Sequence, residues 1–130
     1  MCIINNNILL DLERLRYPNS GLANVFRNLA KGISLLAPEL NVSYFGIEKE
    51  IKKISPLIRI VLYKKWHRYL EFFSKGFDII HVSHQLSRYF QKPYKHTQKI
   101  LTLHDLNFLY EDISEYKRHK LLNRVNTNLG

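Results

Sequence analysis

The segment Lys99-Ile-Leu-Thr-Leu-His-Asp-Leu106 most narrows what this chain can fold into. Its apolar run lacks the strict alternation of a half-exposed strand. Such a run reads as a strand covered on both faces, which usually means a parallel sheet lying between helices. Ile8-Leu-Leu-Asp-Leu12 and Phe77-Asp-Ile-Ile-His-Val-Ser83 have the same character. In open α/β sheets, ligands bind in the crevice outside the carboxyl ends of the strands. His104 and Asp105 fall at such an end and are therefore candidate functional residues.

The segments between these runs have the periodicity of helices. Leu22, Val25, Phe26, Leu29, Ile33 and Leu36 recur at spacings of three and four, which predicts an amphipathic helix. Asn19 or Ser20 is placed to cap it, and Pro38 ends it. Asn41–Gly46 alternates enough to be a second strand. Leu57–Leu62 has some strand character, but Leu62, Trp66, Tyr69, Leu70 and Phe73 keep helical spacing. Residues 51–75 are therefore expected to be mostly helix, stopped by Gly76. Phe77–Ser83 and Lys99–Leu103 are the third and fourth strands. A last helix over Glu115–Leu129 carries Leu121, Leu122, Val125 and Leu129 on one side. Strands alternating with helices predict an α/β fold, a Rossmann-like parallel sheet flanked by helices. Right-handed crossovers restrict its topology further.

At 130 residues the chain holds one domain at most. Its net charge of +9 is unevenly placed. Residues 1–50 are balanced, with five acidic and five basic side chains, whereas residues 51–130 hold six acidic against fifteen basic. Within 51–75, seven basic residues face the lone Glu71. Such a segment favours anionic partners, whether phosphate groups, nucleic acid or acidic lipid headgroups. The single Cys2 excludes an intramolecular disulfide framework and a multi-cysteine zinc site. No apolar stretch is long enough for a membrane span. The opening residues lack the basic and apolar regions of a secretory leader, so a cytoplasmic protein is expected.

Three strand-end loops carry polar chemistry. In the first, Gly21 precedes a helix whose N–H groups and dipole favour an anion, and a glycine there lets backbone approach a ligand. The loop is neither a dinucleotide fingerprint nor a P-loop. In the second, His81-Val-Ser-His84-Gln85 offers histidines for hydrogen bonding or substrate contact. No third ligand sits at a recognisable metal spacing, so no metal is expected. In the third, His104 is suited to bind a sugar hydroxyl or to act as a general acid or base, with Asp105 beside it. No nucleophile motif accompanies it, and hydrolase chemistry is unsupported. Asp11, at the end of the first strand, reaches Asp105 only through the fold.

Together these segments resemble the N-terminal, acceptor-side domain of GT-B glycosyltransferases of family 4. Ile8 through Leu29 is similar to that family's first strand, glycine loop and first helix. Phe77-Asp-Ile-Ile-His-Val-Ser-His84 resembles its Asp-Ile-Ile-His strand, and Ile100-Leu-Thr-Leu-His-Asp-Leu106 its strand ending in His-Asp-Leu. The likeness runs from about residue 8 to 129. It implies transfer of a hexose, with retention, from a nucleotide-sugar donor to a saccharide or lipid-linked acceptor, without a cofactor. His104 is then the catalytic candidate, and Gly21, His84 and Asp105 are substrate-binding candidates. The glycine loop departs from the pattern, since many relatives carry a second glycine there. Members of the family are also much longer and bind the nucleotide sugar with a second Rossmann-like domain. Residues 1–130 thus correspond to a partial N-terminal domain without the donor-binding one. The isolated chain is expected to be inactive, and its unpaired edge strand is expected to favour self-association. In the full-length enzyme the basic 51–75 segment, with Trp66, Tyr69 and Phe73 between cations, suits a peripheral contact with the inner membrane face. The competing expectation is that these aromatics pack onto the sheet.

Two readings from other classes remain. One is a non-enzymatic basic Rossmann-type module binding nucleotide or nucleic acid, favoured by the charge but lacking a nucleic-acid motif. The other is an unrelated small α/β enzyme that uses His104.

Overall fold

Neighbouring residues of the first two strands face opposite ways, and both faces are apolar. In a computed structural model, which describes residues 6–55, 58–69, 74–92 and 95–130, Ile8–Asp11 (β1) and Val42–Gly46 (β2) pair in parallel. Leu10 and Tyr44 enter one core with Leu12, Leu15, Ala23, Phe26, Ala30 and Ile51. Leu9 and Phe45 enter a second core with Ile80, Val82, Tyr89 and Phe90. Two apolar faces require two covering layers, which is why these strands show no clean polar alternation.

Arg59–Leu62 (β3), Ile79–Val82 (β4) and Gln98–Leu101 (β5) complete a five-stranded, all-parallel sheet in the order β3-β2-β1-β4-β5. The fold is the expected Rossmann-like α/β sheet flanked by helices, with one strand more than expected. The extra strand, β3, lies in the stretch read as mostly helix. There the structure has a short helix, Glu48–Lys52 (α2), then β3, then a 3-10 turn at Lys65–Arg68. Pairing with β2 from Ser43 to Gly46 supplies ladder bonds to Arg59–Leu62, the part of this stretch with strand character, and the helical spacing begins only at its last residue. Leu70 and Phe73 lie outside the described residues. Trp66 and Tyr69 are 43% and 71% exposed, so neither packs fully onto the sheet.

Gly21–Leu36 (α1) covers the first face. Ser20 caps it, its Oγ accepting from the Ala23 N–H at 3.1 Å. Its buried residues are Ala23, Phe26 and Ala30, with Leu22 and Ile33 partly buried beside them. Val25, Leu29 and Leu36 are exposed, so the inward face is turned toward the alanines, whose small side chains let helix and sheet approach. The second face is covered differently. No helix is assigned among the described residues between β4 and β5; Tyr89 and Phe90 of that connection pack on Phe45, with ring centroids 5.6 and 5.0 Å away. Glu115–Leu129 (α3) follows β5 and buries Val125 and Asn128, while Leu129 stays exposed.

The Lys99–Leu103 segment is not covered on both faces. β5 is an edge of the sheet, and Ile100 and Leu103 are each 50% exposed. Its apolar character reflects one buried side and one open one.

Candidate functional site

The chain leaves β1 for β2 and β3 and then returns to place β4 on the other side of β1. The crevice at the carboxyl ends of β1 and β4 is therefore the point where strand order reverses, the usual ligand position in such sheets. Asp11 closes β1 there and is fully buried. One oxygen accepts from the Glu13 N–H at 2.9 Å, and the other from the Ser83 N–H at 3.2 Å and hydroxyl at 2.8 Å. Burial pushes the Asp11 carboxyl above its ordinary range, against the pull of those bonds and of Arg14. Asp11 is a clasp between β1 and β4, with both oxygens already engaged.

His84 and His104 meet above this clasp. The rings stack with centroids 6.1 Å apart and planes 24° from parallel, and Phe26 of α1 abuts His104 edge-on at 5.9 Å. The two rings hold their protons on the same nitrogen for different reasons. His84 Nδ1 faces two donors, the Arg14 guanidinium at 3.2 Å and the Leu86 N–H at 3.0 Å, so the hydrogen sits on Nε2. His104 Nε2 lies 3.1 Å from the Ser83 carbonyl, an acceptor, so Nε2 again carries the hydrogen. His104 is exposed, and its Nδ1 makes no hydrogen bond among the described residues. Burial, reinforced by the charge of Arg14, holds His84 down at about 4, so it is neutral near pH 7.

Buried Gln85 locks the two loops together. Its Oε1 accepts from the His104 N–H at 3.2 Å, and its amide donates to the Asp105 carbonyl. Asp105 itself is exposed, and its carboxylate accepts from the Asn107 N–H at 3.3 Å, opening the 3-10 turn Asn107–Leu109. Among the described residues no hydrogen bond joins its carboxylate to the His104 ring; its field reaches His84 instead. His81 lies on the α1 face of the sheet, edge-on to Phe26 at 5.7 Å with its Nε2 2.7 Å from Thr102 Oγ1, and burial holds its pKa down. Gly21 is the first residue of α1, and a Cβ there would meet nothing within 4 Å. Open space above it leaves room for a ligand, while the protein's own packing does not demand a glycine. Thus the fold joins His84, Gln85, His104 and Asp105 in one network. Gly21 stands farther along the same edge, at the start of the helix that touches the network through Phe26.

A second group escaped the sequence reading. A cavity of about 460 Å³ opens at the ends of β1, β3 and β4, lined by Arg14, Arg16, Lys65, Arg68, Arg88 and Arg124. Its one acidic lining residue, Glu13, is buried and paired with Arg16 at 2.8 Å and Arg14 at 3.6 Å. Burial raises the Glu13 pKa, with Asp11 adding repulsion, while the two arginines oppose the shift. The available signal was Glu13-Arg-Leu-Arg16 immediately after the first strand. The excess of basic residues points to residues 51–75, yet of the described cations of that segment Lys65 and Arg68 line the cavity. A larger cavity of about 570 Å³ lies at the opposite sheet edge, against Asn41, Val42, Ile58 and Arg59, away from every candidate residue.

Comparison of the chain with protein-family models, with curated proteins and with solved structures finds no match in any of the three. The site's chemistry therefore rests on its geometry. Among the described residues no group of three or more His, Cys, Asp or Glu side chains is arranged to hold a metal ion. No helix among them is long and apolar enough to cross a membrane.

Proposed function

We propose that this chain is the N-terminal, acceptor-side domain of a GT-B glycosyltransferase, which moves a sugar from a nucleotide-sugar donor to a saccharide or lipid-linked acceptor. The observation that carries the reading is the stacked His84–His104 pair at the strand-order reversal, with its tautomers set by Arg14, Leu86 and Ser83. His104 offers an Nδ1 lone pair to an acceptor hydroxyl, and neutral His84 offers an Nε2–H. That combination suits a ligand made of hydroxyls, which both donate and accept. In this role His104 orients the acceptor and takes part in proton movement at its hydroxyl, while a donor-binding domain brings the nucleotide sugar. The open space over Gly21 suits the donor phosphates at the α1 N-terminus. The reading extends to a cytoplasmic enzyme touching the inner membrane face through exposed Trp66 and Tyr69, beside Lys64, Lys65 and Arg68. Self-association through edge strand β5 belongs to it as well.

The six cations around the smaller cavity favour a second reading, a basic module for nucleotide or nucleic acid. Saturation-transfer NMR of the whole chain with neutral saccharides separates the two. Sugar recognition predicts millimolar-range binding that changes little between low and high salt and is lost in His104→Ala. Binding to an oligonucleotide that weakens steeply with salt, with no saccharide contact at all, would overturn the transferase reading.

A further inference from the structure

We infer that the cavity beside the histidine pair is a binding site for a phosphoryl group, so that the small molecule bound in this crevice carries a phosphate. Six cationic side chains converge on it from four separate parts of the fold: the β1 loop, the turn after β3, the β4 loop and α3. Glu13 neutralises part of this charge, and its carboxylate is consumed by Arg14 and Arg16. Among the described residues no carboxylate forms an ion pair with Lys65, Arg68, Arg88 or Arg124. Arg88 from the β4 loop and Arg124 from α3 confront each other as like charges, and burial together with Arg88 pulls the Arg124 pKa down. Like charges held together at a cavity wall are relieved by an anion between them. Guanidinium groups match phosphate oxygens by paired hydrogen bonds.

The cavity is also built rather than merely charged. Arg16 donates to the Tyr63 hydroxyl at 2.8 Å, and the Tyr89 hydroxyl donates to the same oxygen at 3.0 Å. Tyr63 and Tyr89 pack edge-on at 5.5 Å and both contact Phe45 of the core, so Arg16 is held on a fixed floor. A volume of about 460 Å³ is in the range of small-molecule sites. Arg14 belongs to both places: it lines the cavity and bonds His84 Nδ1. A phosphate seated on the arginines therefore leaves the rest of its molecule against His84 and His104. Only the identity of that remainder, a sugar, rests on the transferase reading.

Calorimetric titration of the whole chain tests the assignment with four probes: a hexose 6-phosphate, the same hexose without phosphate, uridine diphosphate and a single-stranded oligonucleotide. At least one phosphorylated small molecule is expected to bind ten times or more tighter than the bare hexose. That advantage is expected to vanish in the double variant Arg88→Gln/Arg124→Gln. Tighter binding of the hexose phosphate places the group on an acceptor, and tighter binding of uridine diphosphate places it on a donor. If the double variant misfolds by circular dichroism, Lys65→Gln/Arg68→Gln on the exposed rim takes its place. Affinity for both hexose phosphate and uridine diphosphate no better than for the bare hexose would overturn the site. So would unchanged binding in the folded variant, or an oligonucleotide that displaces every small probe. Phosphate binding that needs the arginines but ignores His104→Ala sinks the sugar reading and leaves the phosphate site standing.

Discussion

His84 is a histidine whose protonation is opposed from two directions. Arg14 and the Leu86 N–H both point donors at Nδ1, so a second proton there breaks two hydrogen bonds and sets two cations together. Its folded pKa of about 4 lies below the ordinary 6.5. Between those values the unfolded chain binds more protons, so stability falls as pH drops through that window. His84→Asn keeps an acceptor oxygen near the place of Nδ1 and removes the titration. Urea midpoints measured from pH 7 to pH 4 are expected to fall less in the variant than in the natural chain. Residual slope from His67 and His81, whose pKa values are also depressed by burial, remains in both. Parallel pH profiles would show that His84 is not buried as described.

Strand ends decide more here than strand interiors. Gly46 closes β2 where a Cβ would sit 2.9 Å from the Leu12 carbonyl oxygen and 3.1 Å from Ile51 Cδ1. The carbonyl belongs to backbone that opens the Glu13–Arg16 turn and cannot yield as a side chain does. Gly46→Ala is therefore expected to lower stability by about 1–3 kcal/mol, the usual cost of overpacking a tight site. Chemical denaturation measures it, and a neutral result would mean the turn after β1 shifts freely. That turn carries Arg14 and Arg16, so the variant is also expected to weaken ligand binding in the cationic cavity. The two edge strands show where periodicity misleads. The helical spacing that runs on from Leu62 draws residues 51–75 toward helix, yet Arg59–Leu62 pairs with β2 as a strand. β5 reads as a doubly covered strand, yet one of its faces is open, with Ile100 exposed and Leu101 packed on the core.

α3 is joined to the sheet by one polar side chain more than by its apolar stripe. Asn128 is buried; its amide donates to the carbonyls of Gln85 and Ser87, both at 2.9 Å, and its Oδ1 accepts from Lys99 at 3.1 Å. It therefore ties the helix to the β4 loop and to β5 at once, and it holds Arg124 over the cavity. Asn128→Ala leaves buried carbonyls without that donor, a loss of about 1–3 kcal/mol. Amide hydrogen exchange is expected to show α3 losing protection while β1, β2 and β4 keep theirs. Uniform loss across the sheet would mean the helix is integral to the core instead. The α/β class, the order of most elements, α1 with its Ser20 cap and the span of α3 were legible in the chain, because local periodicity and capping chemistry fix them within a few residues. His84, His104 and Asp105 were legible as strand-end residues, since sheets of this class gather ligands at that edge. Asn128 and the union of Arg14, Arg16, Arg88 and Arg124 were not, because those residues come from segments up to 110 positions apart. Which nitrogen of each histidine is free, which strands are edges and which charges crowd one cavity depend on the order β3-β2-β1-β4-β5. Only tertiary packing sets those, since distances between sequence-remote groups have no local signature.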